Sequence, residues 1–416
     1  MARQFDVPTF YRSPVVSKVK EARKLHDPRK KDLTPSILDF GPVRFKLARL
    51  FGFCYGVENA IEIAYRAIDE ANGRRIFLLS EMIHNPHVNE DLLSRGIRFL
   101  RTTSGEQLIP FSELKADDIV IIPAFGTTLE TEKLLRDIGV NVEAYDTTCP
   151  FVEKVWTRSA KIGEQNYTVV VHGKRYHEET WATISHTKAL TPVVVVRDME
   201  EAQTLAKVIR GEEGADFFFQ HFQDKYSDGF DPLKDLRRIG VVNQTTMLAS
   251  ETKEIASLLK NAVLDRFGGD TSDSFQPSDH FADTSDTLCY ATNENQDATR
   301  SLIQEKADLA LIVGGANSSN TSHLVELCEE YMPTYFVSGD ESLISQNEIK
   351  HFDLHTKQVV TATNWLPTTE PIDIILTAGA SCPDVLLDRI MNRICSWFPE
   401  ALDVEQVVSS FTKSLK

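Results

Sequence analysis

The stretch "ADLALIVGGANSSNTSHLVELCEEYM" (residues 307–332) decides the fold class, because it holds a strand, a loop and a helix in succession. Its apolar run "LALIV" is continuous rather than alternating, which is typical of a strand buried on both faces of a parallel sheet. A loop of Gly, Ser and Asn follows, and apolar residues then recur at helical spacing from Leu324 onward. The stretch therefore predicts one β–α unit of an α/β protein.

The same unit recurs along most of the chain from about residue 46. Other apolar runs of this kind are "DIVIIPAF", "YTVVVHG", "TPVVVVRD", "RRIGVVNQ", "PTYFVSG" and "PIDIILTAG". Helical spacing separates them, so parallel sheets covered by helices are predicted. Residues 211–236 break the alternation and are interpreted as an insertion, polar residues 270–285 as a linker, and the last twenty residues as a closing amphipathic helix.

Composition excludes several classes of protein. The chain has 416 residues, is 42% hydrophobic and carries a net charge of −16, which argues against general binding to nucleic acid or anionic membranes. No apolar run reaches the roughly 18–20 residues of a membrane span, and the N-terminus lacks a secretory core. The six cysteines are too dispersed for a secreted disulfide framework. These features predict a cytoplasmic protein with reduced thiols.

Three of the six cysteines share one local setting. Cys54 lies between Gly52 and Gly56, and Cys149 and Cys289 each follow Asp-Thr-x; a helical pattern begins directly after each of the three. A cysteine at a helix N-terminus favours the thiolate, which is the nucleophilic and metal-binding form. Loops at the carboxyl ends of parallel strands carry the sites of open α/β sheets. We therefore expect the three thiols to meet at one point.

Three thiolates without a fourth protein ligand are compatible with two kinds of metal centre. One is tetrahedral zinc with an open position, and the other is a [4Fe–4S] cluster whose fourth iron binds a substrate oxygen as a Lewis acid. Zinc offers no electron path, so the choice decides the reaction class. The spacing does not decide it. Cys328 and Cys395 lie inside helical patterns and are predicted to be core residues, and Cys382 has no predicted role.

Polar loops after the apolar runs add a second theme. They are "HNPHV" (84–88), "HGKRYHEET" (172–180), "NQTTM" (243–247), "GGANSSNTSHL" (314–324) and "LTAGASCPD" (376–384). Any one of them is also ordinary capping or turn chemistry. Together they indicate a site for a diphosphate. Neither GxGxxG nor a Walker A motif is present, so a nicotinamide cofactor and nucleotide hydrolysis have no support.

In this order the motifs resemble those of the 4-hydroxy-3-methylbut-2-enyl diphosphate reductase (LytB) family, over about residues 46–395. The resemblance implies a trefoil of three similar α/β domains with parallel sheets around a central [4Fe–4S] cluster. The predicted divisions are an N-terminal extension (1–45), three α/β domains (46–145, 146–285 with the 211–236 insertion, and 286–396), and a helical tail (397–416).

The resemblance also implies a role for particular residues. The three cluster ligands would be Cys54, Cys149 and Cys289. The diphosphate contacts would be His84, His177, Ser318, Ser319, Asn320 and Ser381. Glu179 matches the glutamate that delivers protons in the family, and Thr245 matches the threonine that orients the substrate hydroxyl and helps the proton relay.

The reaction implied is the reductive dehydroxylation of (E)-4-hydroxy-3-methylbut-2-enyl diphosphate to isopentenyl and dimethylallyl diphosphate. This is the last step of the methylerythritol phosphate route to isoprenoids, and it consumes two electrons and two protons. The implied electron donor is reduced ferredoxin or flavodoxin, with no nucleic-acid or membrane partner. Two alternatives are another three-cysteine [4Fe–4S] enzyme, such as a quinolinate synthase-like dehydratase, and a non-enzymatic phosphometabolite-binding or iron-sensing module.

The chain departs from the family pattern at one position. Many members carry histidine in an Ala-His-Gly turn, whereas this chain has Ala124-Phe125-Gly126. The change resembles the cyanobacterial and plastid branch, as do the N-terminal extension and the insertion. Phenylalanine cannot donate a hydrogen bond to phosphate, so His172 or Lys174 is the predicted substitute for the missing histidine.

Overall fold

A computed structural model describes residues 5–268, 279–282, 287 and 289–415. The predicted linker at 270–285 lies outside the described residues except for 279–282. The strands are β1 (Ser36–Asp39), β2 (Val43–Leu47), β3 (Ile76–Leu78), β4 (Arg98–Phe99), β5 (Ile119–Ile121), β6 (Thr168–His172), β7 (Val193–Val196), β8 (Ile239–Asn243), β9 (Phe281–Ala282), β10 (Leu309–Val313), β11 (Thr334–Val337), β12 (Glu348–Asp353), β13 (Gln358–Thr363) and β14 (Ile372–Ala378).

Helices connect most of these strands. They are α1 (Pro14–His26), α2 (Tyr55–Asp69), α3 (Pro86–Ser94), α4 (Leu129–Ile138), α5 (Pro150–Glu164), α6 (Glu178–Lys188), α7 (Met199–Arg210), α8 (Ala215–His221), α9 (Pro232–Asp235), α10 (Ala249–Phe267), α11 (Tyr290–Leu302), α12 (Ser319–Glu329), α13 (Asp384–Cys395) and α14 (Val404–Ser414). None of these helices is both long and apolar enough to cross a membrane.

The chain divides into two compact units. The first contains the described residues up to Glu58, Ile83–Asp91, and those from Tyr290 onward. The second contains Asn59–Met82 and the described residues of Leu92–Cys289. The three-domain division stays a prediction.

The first unit is built on a sheet with the strand order β1-β2-β14-β10-β11. All neighbours except β1 and β2 are parallel. Every residue of β10 is buried, as its unbroken apolar run predicts. The helix that begins at Ser319 follows it, so the β–α unit predicted for 307–332 is confirmed.

Regular structure begins before residue 46. β1 and most of β2 lie inside the predicted N-terminal extension, and β2 joins the sheet because Val43 pairs in register with Ile372 of β14. Phe45 of β2 is fully buried in the core of the first unit. The closing helix α14 is also confirmed; it contacts α1 and β1, and its residues Val407 and Val408 are buried.

In the second unit the described strands form two parallel sheets, with the orders β4-β3-β5 and β7-β6-β8-β9. The predicted insertion at 211–236 carries α8 and α9. It is held by aromatic packing, because Phe218 stacks on Phe222 and on Phe230 at centroid distances of 5.0 and 5.1 Å. Mostly parallel sheets covered by helices confirm the predicted α/β class.

Candidate active site

Each of the three cysteines predicted as ligands directly precedes a helix. Cys54 precedes α2, Cys149 is the N-cap of α5, and Cys289 precedes α11. The Cys54 carbonyl accepts a hydrogen bond from the N–H of Glu58 at 3.0 Å, and the Cys149 carbonyl accepts one from Glu153 at 3.1 Å. The local setting predicted from the sequence is therefore confirmed.

Two of these cysteines are each anchored by a backbone hydrogen bond of the same kind. The Cys54 N–H donates to the carbonyl of Ala380 at 3.1 Å, and the Cys149 N–H donates to the carbonyl of Ala124 at 3.0 Å. Both alanines lie in the loop that follows a parallel strand, β14 in one case and β5 in the other. Each contact places a cysteine at the carboxyl end of a sheet, where α/β proteins carry their sites.

The Asp-Thr-x-Cys pattern has a structural purpose that the sequence did not reveal. Thr147 Oγ1 donates to the carbonyl of Ile122 at 2.5 Å, and Thr287 Oγ1 donates to Asn243 Oδ1 at 2.7 Å. Each threonine lies two residues before a cysteine. Its hydroxyl therefore fastens the segment that leads to the cysteine.

The remaining cysteines are core residues. Cys328 and Cys382 are fully buried in the first unit, and Cys395 packs against the same core. Burial raises the pKa of the Cys328 and Cys395 thiols to about 12, and it raises that of Cys382 well above its ordinary range. These thiols stay protonated at neutral pH and are poor metal ligands. The core prediction for Cys328 and Cys395 is confirmed.

The donor chemistry of the three predicted ligands suits a thiolate-bound metal centre. In the described part of the chain, no three side chains of His, Cys, Asp or Glu form a ready-made metal group. None of the six cysteines, all of which are described, forms a disulfide. Cys54, Cys149 and Cys289 are soft donors at helix entrances, which fits a centre bound by thiolates. Their role as ligands stays a prediction.

Glu179, the acid predicted from the sequence, has a strongly raised pKa. Glu179 lies in the first turn of α6 and is only 1% exposed. Thr245 binds both of its oxygens: the Thr245 N–H donates to Oε1, and Thr245 Oγ1 donates to Oε2 at 2.9 Å. Burial raises the pKa of Glu179 to about 7, although both hydrogen bonds act to lower it. At neutral pH the carboxyl can therefore both hold and release a proton, as a general acid must.

His177 is fixed beside this acid by its role in the helix. It is the N-cap of α6, and its Nδ1 accepts the Glu179 N–H at 3.2 Å. A neutral ring that accepts at Nδ1 carries its proton on Nε2. The Phe125 ring meets the His177 ring edge to face, with centroids 5.5 Å apart. Phe125 thus contributes packing to His177 rather than a hydrogen bond.

The ring of His172, one of the two predicted substitutes for the missing histidine, packs against α10. His172 is the last residue of β6 and is fully buried, with Nδ1 2.8 Å from Thr252 Oγ1 of α10. Its Nε2 lies 3.8 Å from a carboxylate oxygen of Glu251. The first turn of α10 therefore holds the His172 ring. A substitute role for His172 or Lys174 stays a prediction.

Gln244 is a residue that sequence reasoning passed over. Its Oε1 accepts the Lys174 N–H at 3.0 Å and the Thr180 hydroxyl at 3.2 Å, and its Nε2 donates to Thr246 Oγ1 at 2.6 Å. The side chain therefore fastens the loop after β8 to the first turn of α6. Gln244 belongs to the motif "NQTTM", but the resemblance to the family indicated a role only for Thr245.

The polar loop of the first unit forms the entrance of α12. Ser318 is its N-cap, and its Oγ accepts the Thr321 N–H at 3.3 Å. Ser319 and Asn320 are buried in the first turn. Among the described residues, neither side-chain polar atom of Asn320 has a hydrogen-bond partner. A buried amide with unused capacity at a helix N-terminus fits an anion-binding position.

His84 and Ser381 lie against this loop. Ser381 Oγ donates to the His84 carbonyl at 3.2 Å. Gly315 approaches so closely that a Cβ there would lie 2.4 Å from the same carbonyl oxygen. The first unit therefore brings together His84, Ser381 and the entrance of α12, while the second unit brings together His177, Glu179 and Thr245. The roles of these residues stay predictions.

Comparison with known proteins gives a consistent result. The model of the LytB protein family matches residues 45–395. The 4-hydroxy-3-methylbut-2-enyl diphosphate reductase of Gloeobacter violaceus is 39% identical over 377 residues, which cover 90% of this chain and 87% of the relative. The enzyme of the same name from Crocosphaera subtropica is 39% identical over 355 residues, 85% of each chain.

Two solved structures are similar. One is described as (E)-4-hydroxy-3-methyl-but-2-enyl diphosphate reductase, the terminal enzyme of the non-mevalonate pathway. It matches 84% of this chain and 98% of its own with a TM-score of 0.50 and 25% identity. The other is the E-1-hydroxy-2-methyl-but-2-enyl-4-diphosphate reductase from Plasmodium falciparum, with a TM-score of 0.61, 20% identity, and coverage of 90% and 99%. The second likeness concerns the fold alone.

Proposed function

Since this chain belongs to the LytB protein family, we propose that it reduces (E)-4-hydroxy-3-methylbut-2-enyl diphosphate to isopentenyl and dimethylallyl diphosphate. The observation that carries the proposal is the buried pair of Glu179 and Thr245 at the entrance of α6. Hydroxide is a poor leaving group, so the reaction needs an acid that is protonated near neutral pH. The reaction takes up two electrons and two protons, breaks the allylic C–O bond and releases water.

We assign the proton transfer to Glu179. Its raised pKa keeps a proton available, and that proton goes to the departing hydroxyl oxygen. The two hydrogen bonds from Thr245 then stabilise the carboxylate that is left behind. Thr245 Oγ1 is the group that we propose to orient the substrate hydroxyl beside the acid.

We assign the binding of the diphosphate to the polar residues at the entrances of α6 and α12. His177 is included because it is the N-cap of α6 and lies two residues before Glu179. A diphosphate bound to His177 would place the rest of the substrate close to the turn that carries the acid. His84, Ser381 and the α12 entrance supply hydroxyl, amide and backbone N–H donors of the kind that anions bind. The unused amide of Asn320 supports its inclusion in this set.

We assign Cys54, Cys149 and Cys289 as the ligands of a [4Fe–4S] cluster. When bound, such a cluster supplies single electrons and, at an iron without a protein ligand, a Lewis acid for the substrate hydroxyl. The chain's contribution is to hold three soft donors at helix entrances, while its other thiols remain protonated in the core. Zinc would leave the proposed reaction without electrons.

The electron donor and the location belong to the same proposal. A one-electron carrier such as reduced ferredoxin or flavodoxin suits a reaction that takes its two electrons singly. We propose a cytoplasmic location because none of the six cysteines forms a disulfide, which suits a reducing compartment.

The proposal is tested by turnover under strictly anaerobic conditions. Iron-loaded protein, a chemical reductant and the hydroxylated allylic diphosphate should yield isopentenyl and dimethylallyl diphosphate, separated by liquid chromatography and mass spectrometry. Formation of both products only when the reductant is present supports the proposal. Loss of water without reductant would instead favour a dehydratase, and binding without conversion would favour a sensing module.

A further inference from the structure

Glu178 is a second buried glutamate in the same turn, and the mechanism above does not use it. It is the first residue of α6 and is 3% exposed. Its side chain faces Ser80 and Arg101, whereas the neighbouring Glu179 faces Thr245. Two consecutive carboxyls at one helix entrance are therefore buried against different parts of the second unit.

The surroundings of Glu178 are polar but incompletely satisfied. Arg101 Nη2 lies 4.0 Å from Glu178 Oε1, and both side chains are largely buried. Among the described residues, neither carboxylate oxygen of Glu178, nor Arg101 Nε, nor Ser80 Oγ has a hydrogen-bond partner. Burial, aided by Glu81, raises the pKa of Glu178 to about 7 against the opposing charge of Arg101, while burial lowers the pKa of Arg101.

Stability does not explain why these groups are buried. An unsatisfied buried polar group costs on the order of 1–3 kcal/mol, and an apolar replacement of a buried ion pair is often neutral or stabilising. The first turn of α6 also has a second contact with the Arg101 segment. That segment closes on itself through a bridge between Arg101 and Gln107, and a Cβ on Gly105 would lie 3.0 Å from the Trp181 ring.

We propose that Glu178 is a positioning residue whose pairing with Arg101 fixes the first turn of α6 for the reaction. The inference rests on the proposed function. His177 and Glu179 flank Glu178 in the chain, so a shift of the Glu178 backbone displaces the proposed diphosphate ligand and the proposed acid together. Gln244 also holds this turn, through its hydrogen bond with Thr180.

The test compares Glu178→Gln and Arg101→Met with a matched control, Glu200→Gln. Glu200 also lies in the first turn of a helix of the second unit, but it is exposed. A misplacement of about 1 Å can cost roughly 10²-fold in rate, so both test variants should lower kcat by about 10–100-fold and raise KM. The double variant should lose no more than the worse single variant, because the two residues act as one unit.

Two further measurements separate positioning from folding. Hydrogen exchange should become faster at the first turn of α6 in Glu178→Gln, without substrate and without change in the control, while iron content stays normal. Glu178→Asp, which keeps the charge, should recover part of the rate. Normal kcat and KM, additive losses in the double variant, or unchanged exchange at α6 would each overturn the proposal. Absence of turnover in the wild-type protein would instead overturn the proposed function.

Discussion

Replacement of Glu179 by glutamine should make the protein more stable at pH 8 while it disables turnover. The carboxyl has an ordinary pKa of 4.5, which burial raises to about 7 in the folded protein. The folded state thus keeps its proton to higher pH than the unfolded state, so this group favours folding most below pH 4.5 and the benefit is lost as pH rises to about 7. The difference corresponds to about 3 kcal/mol above pH 7.

Glutamine does not ionise, so the variant avoids this loss. It can also keep both contacts with Thr245, since its carbonyl accepts the backbone N–H and its amide donates to the hydroxyl. The free energy of unfolding at pH 8 should therefore rise by up to about 3 kcal/mol in Glu179→Gln, with little difference at pH 4.5. Turnover should fall by roughly 10²–10⁴-fold, because the amide cannot give up a proton to the hydroxyl.

The assay is denaturant unfolding at the two pH values together with single-turnover rates on the same preparation. Exposed Glu200→Gln serves as the control and should change neither quantity. Near-normal turnover of the Glu179 variant would remove this residue from the mechanism. A loss of stability at pH 8 would contradict the raised pKa of Glu179 from which the prediction is derived.

Two further predictions concern the other assigned residues. Serine at Cys54, Cys149 or Cys289 should abolish stable iron binding after anaerobic purification, since hydroxyl oxygen is a poor ligand for iron–sulfur clusters, whereas Cys328→Ser should keep its iron; equal iron loss in both groups would show the division of the cysteines to be wrong. His177→Ala should weaken substrate binding as well as slow turnover, because a contact to phosphate is lost; a normal dissociation constant measured by substrate titration would count against that assignment.

The sheets could be predicted because their strands are buried on both faces. "LALIV" of β10 and "VVV" of β6 are unbroken apolar runs, and such runs leave few alternatives to a parallel sheet under helices. β1 was missed because only one side of it is buried: Ser36 and Leu38 point inward while Ile37 and Asp39 are exposed. A four-residue edge strand of this kind carries too short a pattern to distinguish it from a loop.

The candidate site was predictable only as far as local chemistry reaches. The cysteine turns can be recognised in the sequence, since a thiol before a helix is a local feature. The buried role of Glu178 cannot be recognised, because a glutamate in the first turn of a helix is ordinarily a solvated group that complements the helix dipole. The cation that it faces, Arg101, lies 77 positions earlier in the chain. The setting of His172 was hidden for the same reason, because only the packing of α10 shows that its ring is enclosed.

The central claim is that a buried carboxyl with a raised pKa protonates the departing hydroxyl of an allylic diphosphate. The most direct test is the single-turnover rate of iron-loaded, chemically reduced protein with the hydroxylated substrate, measured from pH 6 to pH 9. The account predicts isopentenyl and dimethylallyl diphosphate as products, with a rate that falls about tenfold per pH unit above the Glu179 pKa of about 7. Fully loaded protein that forms neither product, or a rate independent of pH over this range, would contradict it.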